Sequence, residues 1–286
     1  MTAHRRSLTA IAVLCGVVVA GCASSSTNTD TSASSTAGGT SVATPSTTSI
    51  APVPGVVGPV ACAMAEPVDE VLEVASSAFG STTRVSVHFT PCTIDQPTPN
   101  AIVYLLHGAG ADETQWLDVD IFGAADAAVL AGTMPPSVLV APDVGAFTCK
   151  GCDVDLLTHL LDEIEPAIEH TAPVDTTRRA IGGISRGGAM ALEVAGLAPD
   201  DFVAVGAHSP TNASESALTA IGKAGLPVRF DVGEDDSLAR ASEKMARYVE
   251  AYDGSVELVV GQGRHDRDYW RSQADTYVEF YADHLR

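Results

Sequence analysis

The chain's most chemically suggestive segment is Gly183-Ile184-Ser185-Arg186-Gly187, which follows an apolar β-branched run and opens a helical pattern. A serine flanked at two residues either side by glycine can sit on a strand-to-helix turn too sharp for larger side chains, with its hydroxyl thrown clear of the backbone. The helix that starts there directs free amides at any anion forming next to the hydroxyl. A serine hydroxyl is a weak nucleophile at neutral pH, so a base must reach it and a third group must hold that base in the correct tautomer. Two later segments supply candidates. Asp231-Val232-Gly233-Glu234-Asp235-Asp236-Ser237-Leu238 follows one apolar run, and Gly261-Gln262-Gly263-Arg264-His265-Asp266 follows the last. Upstream, Leu106-His107-Gly108-Ala109-Gly110 ends another run. The amides of Ala109 and Arg186 are the candidate oxyanion donors, each worth about 3 kcal/mol to a tetrahedral intermediate.

Apolar runs at Arg84 to Phe89, Ala101 to Leu106, Ser137 to Ala141, Arg179 to Gly183, Phe202 to Ala207, Val228 to Val232 and Val256 to Val260 read as strands. Helical patterns lie between most of them, clearest at Leu156 to Ile168, Gly187 to Ala198, Leu238 to Ala251 and Tyr269 to His284. This alternation predicts an α/β domain with a mainly parallel sheet covered by helices on both faces, its chemistry gathered at the carboxyl ends of the strands. Only Pro210 to Leu226 separates the strand after the serine helix from the strand leading to the acid cluster, which is too little for a large lid domain. An open site of that kind suits short-chain esters, or acyl groups displayed on a larger envelope molecule.

The order Ser185, Asp236, His265 is that of the α/β-hydrolase triad, and from about Val71 to Tyr281 the chain resembles the esterase family that includes esterase D, S-formylglutathione hydrolases and feruloyl esterases, with mycolyltransferases more distant. The resemblance rests on Tyr104-Leu105-Leu106-His107-Gly108, the serine turn, Asp231-Val232-Gly233 leading to Asp236 and Leu238, and His265 followed by Tyr269-Trp270-Arg271. It implies Ser185 as nucleophile, His265 as base and Asp236 as the acid, with Asp235 its close competitor. The implied reaction is hydrolysis of a carboxylic ester through an acyl-enzyme, without metal or cofactor. Transfer of the acyl group to a sugar is the nearest rival. The mycolyltransferase group, however, generally uses Glu as its acid and lacks the His-Gly pair seen at His107 and Gly108. Trp116, Asp143 and Trp270 sit at the expected edge of the site, the tryptophans more naturally as packing. Arg186 adds a cation next to the serine, which could attract an acidic substrate or pair with a local carboxylate, the second being the favoured reading. His107 and the histidines at 88, 159, 170, 208 and 284 read as structural.

The amino terminus sets the expected compartment. Arg5 and Arg6 precede an apolar stretch from Leu8 to Ala20, which as a helix would span about 20 Å, short of a membrane core. It reads as a signal peptide over residues 1–21. Val19-Ala20-Gly21-Cys22 resembles a bacterial lipobox, making Cys22 the expected lipidated residue of an exported, membrane-anchored protein. From Ala23 to Ile50, 17 of 28 residues are Ser or Thr, so residues 22–58 read as a tether and 59–286 as the catalytic domain. The 286-residue chain has a net charge of −20, which repels a nucleic-acid backbone and leaves the lipid as the expected membrane contact. Setting aside Cys15 and Cys22 leaves Cys62, Cys92, Cys149 and Cys152, expected to form two disulfides, with each cysteine joined to its sequence neighbour as the favoured connectivity. A zinc site is the lesser alternative, because Cys149-x-x-Cys152 has no matching second pair. The same pair, lying between a strand and a helical pattern, also admits a thiol-disulfide redox role.

Overall fold

The computed structural model describes residues 66–94, 96 and 98–286. The predicted signal peptide, the tether, Cys22, Cys62 and the domain boundary at residue 59 lie outside the described residues. Eight strands form one sheet in the order β1-β2-β4-β3-β5-β6-β7-β8: β1 (Val68–Ser76), β2 (Ser81–Phe89), β3 (Asn100–Leu106), β4 (Ser137–Pro142), β5 (Val174–Ile184), β6 (Ala204–His208), β7 (Val228–Gly233) and β8 (Val256–Gly261). From β4 to β8 the neighbours are parallel, and the β1-β2 hairpin continues the sheet antiparallel from β4.

The central strand β3, Asn-Ala-Ile-Val-Tyr-Leu-Leu, is buried at every residue. Its period-two geometry sends Ile102, Tyr104 and Leu106 to one face and Ala101, Val103 and Leu105 to the other, where two separate cores form. The first core takes residues from α3 (Cys152–Thr158), which passes through a π-helical turn (His159–Ile164) into α4 (Glu165–Ile168), and from α5 (Arg186–Leu197), α6 (Glu215–Ala224) and α7 (Ala239–Glu250). The second packs under α1 (Gln115–Val119), α2 (Ile121–Leu130), α8 (Arg267–Ser272) and α9 (Ala274–His284). The expected α/β architecture with helices on both faces is therefore present, and the β6–β7 connection holds a single short helix rather than a lid.

Buried polar groups tie these layers together in pairs, as the low dielectric of a core requires. Arg179 Nε and Nη2 each donate to Glu165 at 2.7 Å, and Tyr104 Oη donates to the same carboxylate at 2.9 Å, fixing α4 to the sheet. On β6, His208 shares one hydrogen bond with Asp231 and another, at 2.9 Å, with Tyr281 Oη, while Tyr277 Oη donates to Asp231 at 2.7 Å. The ring of His208 is wholly buried, as a structural residue would be.

On β2, His88 lies between Asp69 of β1 at 2.7 Å and Asp126 of α2 at 2.8 Å, with its ring stacked on Phe122. Burial disfavours the imidazolium, but the hydrogen bonds and charges of Asp126 and Asp69 outweigh it and raise the His88 pKa above its ordinary 6.5. A pKa raised by folding gives stabilisation that is complete below the unfolded value and fades as pH climbs through the folded one. The stability advantage of wild type over His88→Gln, from urea midpoints, should therefore be full below pH 6.5 and shrink as pH rises above it through the raised folded-state pKa; a gap that stays constant would contradict the assignment.

The hairpin strand β1 was not expected from sequence. It is an edge strand in which Asp69, Glu70 and Glu73 interrupt the apolar residues, and most of it stays exposed or half-buried. The expected helix from Tyr269 to His284 is broken at Gln273 into α8 and α9. Cys149 and Cys152 are joined as a disulfide, and Cys92 is disulfide-bonded as well.

Candidate active site

Ser185 occupies the single residue between β5 and α5, at φ 56° and ψ −116°. This is a conformation that non-glycine residues seldom hold unless their surroundings impose it. Here its N–H donates to the His208 carbonyl of β6 at 2.8 Å, and its carbonyl accepts from Thr211 N–H at 3.0 Å. The flanking glycines are required by close approach. A Cβ on Gly183 would lie 2.1 Å from the Gly187 carbonyl carbon, and one on Gly187 would lie 2.2 Å from the Leu106 carbonyl oxygen. The second contact presses the start of α5 against the loop that leaves β3.

That loop carries His107, Gly108 and Ala109. Val144 N–H donates to His107 Nε2 at 2.9 Å, so the ring proton is on Nδ1, which donates to the Gly108 carbonyl at 2.8 Å. Asp143 lies 3.1 Å from the same Nε2 and accepts from Gly145 N–H at 2.8 Å. The structural reading of His107 thus matches its surroundings, and Asp143 Oδ1 is held within the loop while its side chain stays partly exposed. Gly108 N–H donates to Gln115 Oε1 at 2.7 Å. This brace was not visible in the sequence, because a glutamine seven residues beyond a glycine belongs to no motif. Neither the Ala109 nor the Arg186 amide donates a hydrogen bond to another described residue, so both are free for an incoming anion.

The remaining groups arrive from loops after β7 and β8. His265 Nε2 is 3.0 Å from Ser185 Oγ, and His265 Nδ1 is 2.7 Å from Asp236 Oδ2. Asp236 Oδ1 accepts from Leu238 N–H at 2.8 Å, which aims the second oxygen at the imidazole. Accessibility rises outward along this line: the Asp236 side chain is fully buried, whereas that of His265 is 33% exposed. Asp235, the neighbouring candidate, points outward at 67% exposure and approaches Arg264 at 4.0 Å. The carboxylate facing His265 is therefore that of Asp236.

His265 also packs edge to face with Trp270, ring centroids 5.1 Å apart, and Trp270 Nε1 donates to Ser209 Oγ at 3.1 Å. Ser209 and the indole contact were missed from sequence, since a residue following β6 carries no pattern of its own. Trp116 is completely buried, as packing would have it. The expected carboxylate partner of Arg186 is absent: no Asp or Glu among the described residues lies within ion-pair distance of it. Among the described residues no group of three potential ligands could hold a metal ion.

Known proteins share this arrangement of chain. The structure is similar to a ferulic acid esterase, with a TM-score of 0.66 and 19% identity over 77% of this chain and 98% of that one. It is also similar to the S-formylglutathione hydrolase of Agrobacterium tumefaciens, with a TM-score of 0.63 and 17% identity over 77% of this chain and 96% of that one. For the S-formylglutathione hydrolase of Staphylococcus aureus the TM-score is 0.61, at 16% identity over 76% and 97%. These likenesses show the α/β-hydrolase fold. The model of the family described as "Putative esterase" matches residues 76–280, most of the chain, and the chain belongs to that esterase family.

Proposed function

We propose that the protein is a serine-dependent carboxylic ester hydrolase that works through an acyl-enzyme. The observation that carries this reading is the single imidazole bridging Ser185 Oγ at 3.0 Å and Asp236 Oδ2 at 2.7 Å. With Asp236 Oδ2 accepting a hydrogen bond from His265 Nδ1–H, the Nε2 lone pair of His265 faces the serine. Ser185 Oγ then bonds to the ester carbonyl carbon while its proton passes to Nε2, and the carbonyl oxygen takes up the negative charge. The amides of Ala109 and Arg186 are the donors assigned to that oxygen. Collapse of the intermediate breaks the bond to the alcohol, which leaves with the proton from Nε2. Water repeats the sequence, forming the acid and restoring the serine. Asp236 stays ionised throughout and stabilises the transient imidazolium.

The site has only a ten-residue helix in the connection where hydrolases of this fold often carry a lid, so bulky acyl donors have access. Held at the envelope through Cys22, such an enzyme would meet esters presented there. A stopped-flow assay with 4-nitrophenyl acetate tests the two-step scheme. An initial burst of nitrophenol approaching about one equivalent of enzyme, followed by a slower linear phase, is expected. Free acetate should remain the dominant product when trehalose is present. Trehalose acetate as the main product would favour acyl transfer instead, and linear release with no covalent acetyl adduct would exclude the acyl-enzyme.

A further inference from the structure

Arg186 is unusual among the described arginines. All others except Arg240 have a carboxylate within 4.0 Å, and Arg240 is exposed to solvent, which serves as its partner. Arg186 is half-buried. Its Nε is shut off from solvent with no hydrogen-bond partner, while its terminal nitrogens, also without a partner among the described residues, remain open. A chain with 36 acidic and 16 basic residues has carboxylates in abundance, yet none among the described residues is brought to this cation. An uncompensated charge on a partly buried stem is costly, and the cost is relieved when an anion arrives from outside.

The position of this residue ties that anion to the reaction. Arg186 directly follows Ser185 and opens α5, and its neighbour Gly187 is pressed against the Leu106 and His107 carbonyls of the loop bearing Ala109. The guanidinium stem therefore starts at the oxyanion side of the serine. We propose that Arg186 makes the site selective for esters that themselves carry a carboxylate, which pairs with the open guanidinium nitrogens. The proposal rests on the ester-hydrolase reading and names its substrate class. A planar guanidinium can hold a carboxylate through two parallel N–H donors, fixing the ester as well as attracting it.

Two matched pairs of substrates test this. 4-Nitrophenyl hydrogen glutarate against 4-nitrophenyl valerate places the carboxylate on the acyl side. 4-Carboxyphenyl acetate against 4-carbamoylphenyl acetate places it on the alcohol side. In at least one pair the ratio of kcat/KM, anionic over neutral, should fall about tenfold or more from wild type to Arg186→Met, as loss of a charge-assisted contact predicts. Arg186→Lys should keep part of the ratio, and added salt should reduce it in wild type. The wild type alone gives an independent reading: free glutarate should inhibit valerate hydrolysis more strongly than glutaramide. Neutral esters hydrolysed normally with no ratio altered by Arg186→Met, or glutarate inhibiting no better than glutaramide, would overturn the selectivity while leaving the hydrolase standing. No hydrolysis of any ester by folded wild type would remove both.

Discussion

Ser185→Ala is expected to lower kcat/KM for a short-chain ester by about 10⁵-fold or more, with any remaining rate coming from binding and the oxyanion donors alone. The loss should be purely chemical. Among the described residues the Ser185 side chain has one bonding partner, His265, and neither side chain is fully buried, so removing the hydroxyl opens no cavity and strands no buried group. Alanine inherits the same positive φ, and the backbone bonds to His208 and Thr211 persist. Thermal unfolding should therefore give nearly the wild-type midpoint. Substantial ester turnover by pure Ser185→Ala would contradict the nucleophile assignment, and a collapsed midpoint would show that the hydroxyl holds the turn together.

Asp236→Asn is expected to cost about 10⁴-fold in kcat, whereas Asp235→Asn should change little. The amide is nearly isosteric with the carboxylate, and one of its atoms can still accept from Leu238 N–H. The other atom then presents an NH2 to His265 Nδ1, where the native carboxylate oxygen accepts the Nδ1–H hydrogen bond at 2.7 Å. Two donors cannot share that contact, so the imidazole turns to the tautomer with its proton on Nε2, facing Ser185, and can no longer act as base. Asp235, two-thirds exposed and directed at Arg264, has no such contact to lose. Steady-state rates of the two variants on one ester separate these outcomes, and a larger loss for Asp235→Asn would reassign the acid.

The serine turn was legible because its geometry demands residue types: only glycine tolerates 2.1 and 2.2 Å approaches at positions 183 and 187, so the packing is written directly into the sequence. The parallel strands were legible for a similar reason, since a strand such as β3, buried on both faces, must be apolar throughout. The acid was harder. Glu234, Asp235 and Asp236 are chemically alike, and the direction of each depends on the turn after β7, where Asp236 N–H donates to the Gly233 carbonyl at 3.0 Å. That turn sends one carboxylate inward and its neighbour out. Family resemblance pointed to Asp236, and composition could not.

What escaped the sequence was mostly tertiary. Gln115 braces Gly108, and Ser209 holds Trp270 against His265, through contacts between segments whose meeting no local pattern encodes. Arg186 shows the reverse error. So many carboxylates in the chain made an ion pair the natural expectation, yet proximity is decided by the fold, and among the described residues the fold brings no carboxylate to Arg186. The short helices α1, α2 and α6 were likewise unread, the first two because Ala-rich and polar residues give a weak amphipathic signal over few turns.

Covalent labelling with a fluorophosphonate, followed by peptide mass spectrometry, tests the central claim most directly, because the reagent reacts with a serine only where a base and oxyanion donors already surround it. One adduct per chain on Ser185 is expected, lost in Ser185→Ala and strongly slowed in His265→Ala. An adduct on a different residue, or labelling that persists undiminished in Ser185→Ala, would contradict the account.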